Sequence, residues 1–158
     1  MENRSAFQLR VSARRKSERG EDGSDALRPP RCTARILLVD DSPDALTLLR
    51  LFLAAEGFEV ITAGGVAEAL QHLQQTLPDL IITDYVMPDL TGLDLCRHLR
   101  SRPETHRIPI VLHTGADLQL TETALCDALF AKPASFAQLG RRVRSLLGAT
   151  EGARHSQH

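Results

Sequence analysis

The sequence alternates five times between a short apolar run and an amphipathic stripe, and that alternation restricts the folds open to it more than any other feature. Ile36-Leu37-Leu38-Val39 is apolar at every position, the pattern of a strand buried on both faces, and it stops at Asp40-Asp41. Ser42 can cap a helix that takes Pro43 in its first turn, and Leu46, Leu49, Phe52 and Leu53 recur at helical spacing until Gly57 ends it. Phe58, Val60 and Ile61 predict a second strand, and Val66, Ala69, Leu70 and Leu73 a second helical stripe before Pro78. Leu80-Ile81-Ile82 predicts a third buried strand ending at Asp84, and Leu93, Cys96 and Leu99 predict a helix after Gly92. Ile108 to Leu112 reads as strand four, followed by a short, weakly patterned helix around 118–126. Ala128 to Ala131 reads as strand five. Phe136, Leu139, Val143, Leu146 and Leu147 line one face of a last helix whose other face carries Arg141, Arg142 and Arg144.

Strands joined by helices in strict alternation need crossovers, and right-handed crossovers place helices on the faces of a parallel sheet. The expected fold class is α/β, an open, doubly wound sheet of five βα units, because a closed eight-stranded barrel needs about 250 residues. Open sheets of this kind keep their chemistry at the carboxyl ends of the strands.

The chain has 158 residues, enough for one core with length to spare. Its formal charge of −1 divides unevenly: residues 1–34 hold eight basic and five acidic residues, and residues 35–158 hold eleven and fifteen. Few apolar residues and several Gly and Pro in the basic part predict a disordered extension over 1–33. The compact domain is expected over 34–148, with an unstructured tail at 149–158. Arg14, Arg15, Lys16 and Arg19 are read as part of a solvated extension rather than a nucleic-acid contact. No apolar run approaches the roughly 18 residues of a membrane span and no secretory signal is visible, so a soluble, cytoplasmic chain is expected. Cys32, Cys96 and Cys126 fit neither a disulfide framework nor a zinc site.

The polar residues of interest fall at the strand ends: Asp40-Asp41, Asp84, Thr114 and Lys132-Pro133. Three carboxylates converging on one sheet edge repel unless a cation offsets them. Oxygen-only ligands favour Mg²⁺ or Mn²⁺ over zinc. The chain holds two lysines against seventeen arginines, so a compact ammonium at the end of strand five points to a role beside an anion. Thr114 offers a hydroxyl that can donate to a phosphoryl oxygen.

These residues resemble the receiver domain of two-component response regulators. The resemblance rests on Ile36–Asp41 with its Asp-Asp pair, Thr83-Asp84 followed by Met87-Pro88 and Gly92, Thr114-Gly115, and Lys132-Pro133, all in the family's order. It covers about residues 34–148. It implies a flavodoxin-like sheet of order 2-1-3-4-5, with Asp84 accepting a phosphoryl group from a sensor histidine kinase or phosphotransfer protein. Asp40, Asp41, Asp84 and the backbone carbonyl of Val86 would hold Mg²⁺. Thr114 and Lys132 would bind the aspartyl phosphate, and the Lys132-Pro133 bond would be cis. Output is expected through a protein partner on the face of the fourth helix, fifth strand and last helix, with no attached DNA-binding domain, no membrane and no nucleic acid.

Three positions depart from the family's pattern. The Tyr or Phe usually found three residues before the lysine is Leu129, with Phe130 one place later on the opposite face of the strand. Thr114 and Lys132 are 18 residues apart, about one helical turn short of the family's interval. Val86 is apolar where some relatives orient an attacking water, which predicts slow autodephosphorylation.

A degenerate receiver that only binds partners is the alternative reading. The chain is expected not to be an enzyme: an aspartyl-phosphate phosphatase needs a general acid beside its nucleophile, and Asp84 is followed by Tyr85-Val86. Gly64-Gly65 is not a dinucleotide-binding fingerprint.

Overall fold

The computed structural model describes residues 33–118 and 122–155. The basic extension expected over 1–33 lies, but for its last residue, outside the described residues. The elements in chain order are β1 (Arg35–Val39), α1 (Pro43–Ala55), β2 (Glu59–Ala63), α2 (Val66–Gln75), β3 (Leu80–Thr83), α3 (Gly92–Arg100), β4 (Ile110–Thr114), a 3₁₀ turn (Thr123–Leu125), β5 (Ala128–Ala131) and α4 (Phe136–His155). All strand pairs are parallel and the order is β2-β1-β3-β4-β5, as expected for the doubly wound sheet.

The period of two along each strand divides the core into two layers. Ile36, Leu38, Leu80, Ile82 and Val111 pack against Leu49 and Leu53 of α1 and Leu139 and Val143 of α4. Leu37, Val39, Ile81 and Ile110 pack against Ala69 of α2 and Leu95 and Leu99 of α3. Both parities of β1, β3 and β4 are therefore apolar because both faces are covered. Each such side chain removed from water contributes on the order of 2 kcal/mol. Ring stacking of Phe52 on Phe136, with centroids 5.1 Å apart, and an ion pair of Arg144 with Glu56 join α1 to α4.

Helix starts follow local chemistry. The Ser42 hydroxyl accepts from the Ala45 amide at 3.3 Å, with Pro43 opening α1. Thr91 and Asp94 form a reciprocal capping box on α3, and the amide and hydroxyl donors of Thr91 hold the Asp94 carboxyl below its usual range. Cys96 is fully buried in the α2/α3 layer, and burial pushes its thiol up to about 12, an unreactive cysteine.

Three boundaries differ from expectation. In place of a helix around 118–126, the described residues hold a single 3₁₀ turn. Thirteen residues connect Thr114 to Ala128, and the last of them are already committed to the sheet: Asp127 donates its amide to Ile110 O and accepts the Ile110 amide on its carboxylate. Strand four begins at Ile110 rather than Ile108, because Pro109 has no N–H for the ladder. The segment expected as a tail from 149 continues α4 to His155: it passes through Gly148 and Gly152, but Ala149, Glu151, Ala153 and Arg154 favour helix, no proline intervenes, and the Thr150 hydroxyl donates to Leu146 O. Residues 156–158 lie outside the described residues.

Arg100 fastens the shortened connection. Its guanidinium donates to the carbonyls of Leu125, His106 and Ile108 and to the Asp127 carboxylate, all within 2.8–3.1 Å. Replacing Arg100 by Ala removes a donor from three carbonyls and from the Asp127 carboxylate, which keeps only the Ile110 amide. A loss of about 2 kcal/mol in unfolding free energy is expected by urea denaturation; an unchanged midpoint would show that the clamp carries no stability.

Candidate functional site

The ladder runs one residue past each strand. The Asp40 amide donates to Ala63 O at 3.1 Å, the Asp84 amide to Val39 O at 2.9 Å, and the Lys132 amide to Thr114 O at 2.8 Å. Asp40, Asp84 and Lys132 continue the parity of Leu38, Ile82 and Phe130, so their side chains belong to the α1/α4 side of the sheet edge.

Lys132 Nζ donates to Asp40 Oδ2 at 2.8 Å and to Asp84 Oδ2 at 3.1 Å, across 92 and 48 residues of sequence. The second oxygens are also engaged: Asp40 Oδ1 accepts from the Ser42 amide at 2.9 Å, and Asp84 Oδ1 from the Tyr85 amide at 2.6 Å. Both carboxylates are buried, whereas Asp41 is exposed. Burial works against the Lys132 charge, but the hydrogen bonds and charges of Asp40 and Asp84 outweigh it and hold the ammonium above its ordinary range. A group raised in this way adds stability below its unfolded pKa and loses it as pH rises through the folded value, so the bridge is intact at neutral pH.

Carboxylate oxygens of Asp40, Asp41 and Asp84 all lie within 4.8 Å of one another. At that separation two like charges repel by roughly 3–4 kcal/mol at an effective dielectric of about 20, and one ammonium cannot balance three carboxylates. The donor set is oxygen only, which fits a hard divalent cation such as Mg²⁺. Val86 lies in the loop after β3 with its side chain largely exposed. Thr114 is buried at the end of β4; its Oγ1 accepts from the Ala116 amide at 3.2 Å, leaving its own proton to donate elsewhere. The five strand-end residues singled out in the sequence thus meet at one edge, Thr114 through the backbone of Lys132. The Lys132-Pro133 bond is cis.

The loop from Asp84 to α3 folds tightly under this site. The Gly92 amide donates to Tyr85 O, and a Cβ at Gly92 would stand 2.0 Å from Asp84 O. Leu129 is half-exposed while Phe130 packs in the α1/α4 layer, so no aromatic ring occupies the Leu129 face of β5.

One residue escaped the sequence reading. His113 precedes Thr114 on β4, is 7% exposed, and its Nε2 has no hydrogen-bond partner. Burial holds its imidazole below the ordinary range, the Lys132 charge adds to this, and Asp40 and Asp84 oppose it. The available signal was a histidine inside an apolar run read as a strand buried on both faces.

A sequence model of the response regulator receiver domain matches residues 36–144. The chain belongs to the response regulator receiver family. It is 41% identical over 117 residues to the phosphate regulon transcriptional regulatory protein PhoB of Rhizobium meliloti, covering 72% of this chain and 52% of that protein. It is also 41% identical over 119 residues to the response regulator PleD of Caulobacter vibrioides, covering 72% of this chain and 26% of that one. The receiver chain thus spans about half, or a quarter, of the length of these curated relatives. Among solved structures, response regulator TrrA of Thermotoga maritima in complex with Mg²⁺ and BeF superposes with a TM-score of 0.67 at 31% identity, covering 72% of this chain and 99% of that one. Chemotaxis protein CheY4 of Vibrio cholerae gives 0.69 at 28% identity, covering 73% and 99%. No helix among the described residues of this receiver is long and apolar enough to cross a membrane.

The Gly92 contact makes a comparative prediction. Gly57, at φ 94° with open space around it, should lose about 1 kcal/mol on substitution by Ala, the cost of a left-handed backbone alone. Gly92→Ala must also displace backbone at Asp84 and should cost more, roughly 3 kcal/mol. Denaturation midpoints of the two variants check the order, and equal losses would contradict it.

Proposed function

We propose that the chain accepts a phosphoryl group on Asp84 from the phosphohistidine of a sensor kinase or phosphotransfer protein, and that this modification, rather than turnover of a substrate, is its output. The observation that carries this is the single ammonium hydrogen-bonded to two buried carboxylates beside a third, exposed one. An Asp84 carboxylate oxygen attacks phosphorus in line, the P–N bond to the donor imidazole breaks, and the imidazole leaves with the bond's electron pair. The product is an acyl phosphate on Asp84.

Lys132 can turn from the carboxylates to the new phosphoryl oxygens without leaving the site, since it already touches Asp84. The Thr114 hydroxyl, whose oxygen accepts from Ala116, keeps a proton for the same group. Asp40, Asp41, Asp84 and the Val86 carbonyl would hold Mg²⁺, as the donor set allows. When bound, Mg²⁺ offsets charge on the transferring group, and positioning supplies much of the remaining catalysis. The Mg²⁺ and BeF complex described for TrrA supports this reading, because that protein is similar over most of this chain.

Output would pass to a protein partner through β5 and α4, where Leu129, Arg141 and Arg142 are exposed. Among the described residues the connection before β5 holds a 3₁₀ turn, Thr123–Leu125. A phosphorylation-independent interaction module is the second reading, favoured by Leu129 in the place of a switching ring.

Incubation with Mg²⁺ and acetyl phosphate should add one phosphoryl mass to the wild type and none to Asp84→Asn. Equal labelling of both, or of neither, would contradict the assignment. Val86→Asn, which places a polar group beside the acyl phosphate, should shorten the lifetime of the labelled form several-fold. An unchanged decay rate would remove Val86 from the account.

A further inference from the structure

Two apolar features of the molecule are left uncovered by its own packing, one convex and one concave. The first is a ridge on α1. Asp44, Leu48, Leu51 and Ala55 recur at i, i+4, i+7 and i+11, which places them on one helical face, opposite the buried Leu49 and Leu53. Leu48 is 55% exposed and Leu51 56%. A helix that is apolar on both faces is ordinarily buried on both.

The second is a groove of about 340 Å³ between the carboxyl ends of α2 and α3. Leu70, Leu73, Leu77 and Leu99 line it, and Leu77, in the loop after α2, is 46% exposed. His98, Arg102 and Glu104 supply charged groups to the same lining. The segment from Arg97 to Arg107 holds four arginines and one acid, on a body that is net acidic over residues 35–158. Arg97 is paired with Asp94 and Arg100 with Asp127, whereas the exposed Arg102 has no carboxylate partner among the described residues. The exposed Asp44 at the head of the α1 ridge has no basic partner among them either. Ridge and groove lie on opposite layers, since α1 packs with α4 on one side of the sheet and α2 with α3 on the other. They cannot meet within one molecule, but the ridge of one copy can enter the groove of the next.

We propose that the chain associates with itself head to tail, the α1 ridge of one copy seated in the α2/α3 groove of the next. Leu48 and Leu51 then cover the leucines of the groove, as an amphipathic helix fills an apolar cleft. Asp44 comes beside Arg102, and Arg50, exposed on the flank of the ridge, beside Glu104, so both signs find partners. Pairing ridge on ridge would leave both grooves open and Arg102 unmatched. A head-to-tail contact does not close on itself, so copies add into short stacks rather than stopping at a dimer. With one helix face in one groove the contact is small, and the association is correspondingly weak and concentration-dependent.

Sedimentation velocity of the full chain from about 10 to about 500 µM tests this, a range suited to a small interface, after thermal melts establish that each variant is folded. At low salt the weight-average mass of the wild type should rise past the dimer with concentration, and it should fall as added salt screens the Asp44–Arg102 pair. Leu51→Glu blocks the ridge and Leu77→Glu the groove, so each alone should stay monomeric. An equimolar mixture of the two should form a heterodimer and go no further, because only one intact ridge and one intact groove can meet. Asp44→Arg and Arg102→Asp should each weaken association roughly ten-fold, and the double variant should recover most of the loss. If Leu77→Glu fails to fold, Arg102→Asp takes its place as the groove variant. A wild type that remains monomeric throughout would overturn the proposal. So would association lost in Leu51→Glu but kept in Leu77→Glu, which marks a ridge-on-ridge dimer, and association kept in both, which marks another surface. Two monomeric variants that fail to combine on mixing would overturn it as well.

Discussion

Two carboxylates forty-four residues apart in sequence share one ammonium at the carboxyl edge of the sheet, and the geometry of the site follows from that bridge. Asp40 and Asp84 sit nearly out of water, where unpaired charges would be costly, and each has both oxygens engaged: one by Lys132, the other by a backbone amide immediately downstream. The sheet makes this possible. Extending the register of β1 on β3 and of β4 on β5 by one residue delivers all three side chains to one side of one edge. Asp41, one residue on, points to solvent and supplies the exposed third carboxylate. A site built this way has surplus negative charge around one hydrogen-bonded ammonium, a donor set that fits a divalent cation.

Much of this was legible before any coordinates. Apolar runs without alternation identified strands covered on both faces, and their order with the intervening stripes identified a parallel sheet. Parity alone separated Phe130 from Leu129. The strand-end acids and one of the chain's two lysines marked the sheet edge where the structure brings their side chains together. What escaped was either local chemistry that leaves no periodic trace or a polar residue hidden inside a periodic one. Pro109 shortened β4 by withholding an amide, and Asp127 took over that edge by pairing with Ile110; of the helix that weak patterning had suggested, the described residues hold a 3₁₀ turn. Continuation of α4 past residue 148 runs through Gly148 and Gly152, against propensity at those positions and without an apolar stripe to mark it. His113 was masked by the aliphatic residues on either side of it.

The short connection between β4 and β5 has consequences for how a signal could leave the site. Thr114 opens it and Lys132 follows β5 beyond its other end, and their backbones are hydrogen-bonded to one another, so movement at one is felt at the other. On its far side Arg100 of α3 holds the Leu125 carbonyl of the 3₁₀ turn, the Asp127 carboxylate, and the His106 and Ile108 carbonyls of the loop before β4. Among the described residues no aromatic ring stands on the Leu129 face of β5, and the hydrogen bond from the Lys132 amide to Thr114 O links the two strand ends directly.

The central claim is that the lysine-bridged acids form a cradle for a phosphoryl group on Asp84. A crystal structure of the chain with Mg²⁺ and beryllofluoride tests it most directly. The account predicts beryllium bonded to an Asp84 oxygen, with Lys132 Nζ and Thr114 Oγ1 on its fluorines and the metal among Asp40, Asp41 and Asp84. Beryllofluoride absent from Asp84, with Lys132 still bridging the two aspartates at saturating ligand, would contradict it.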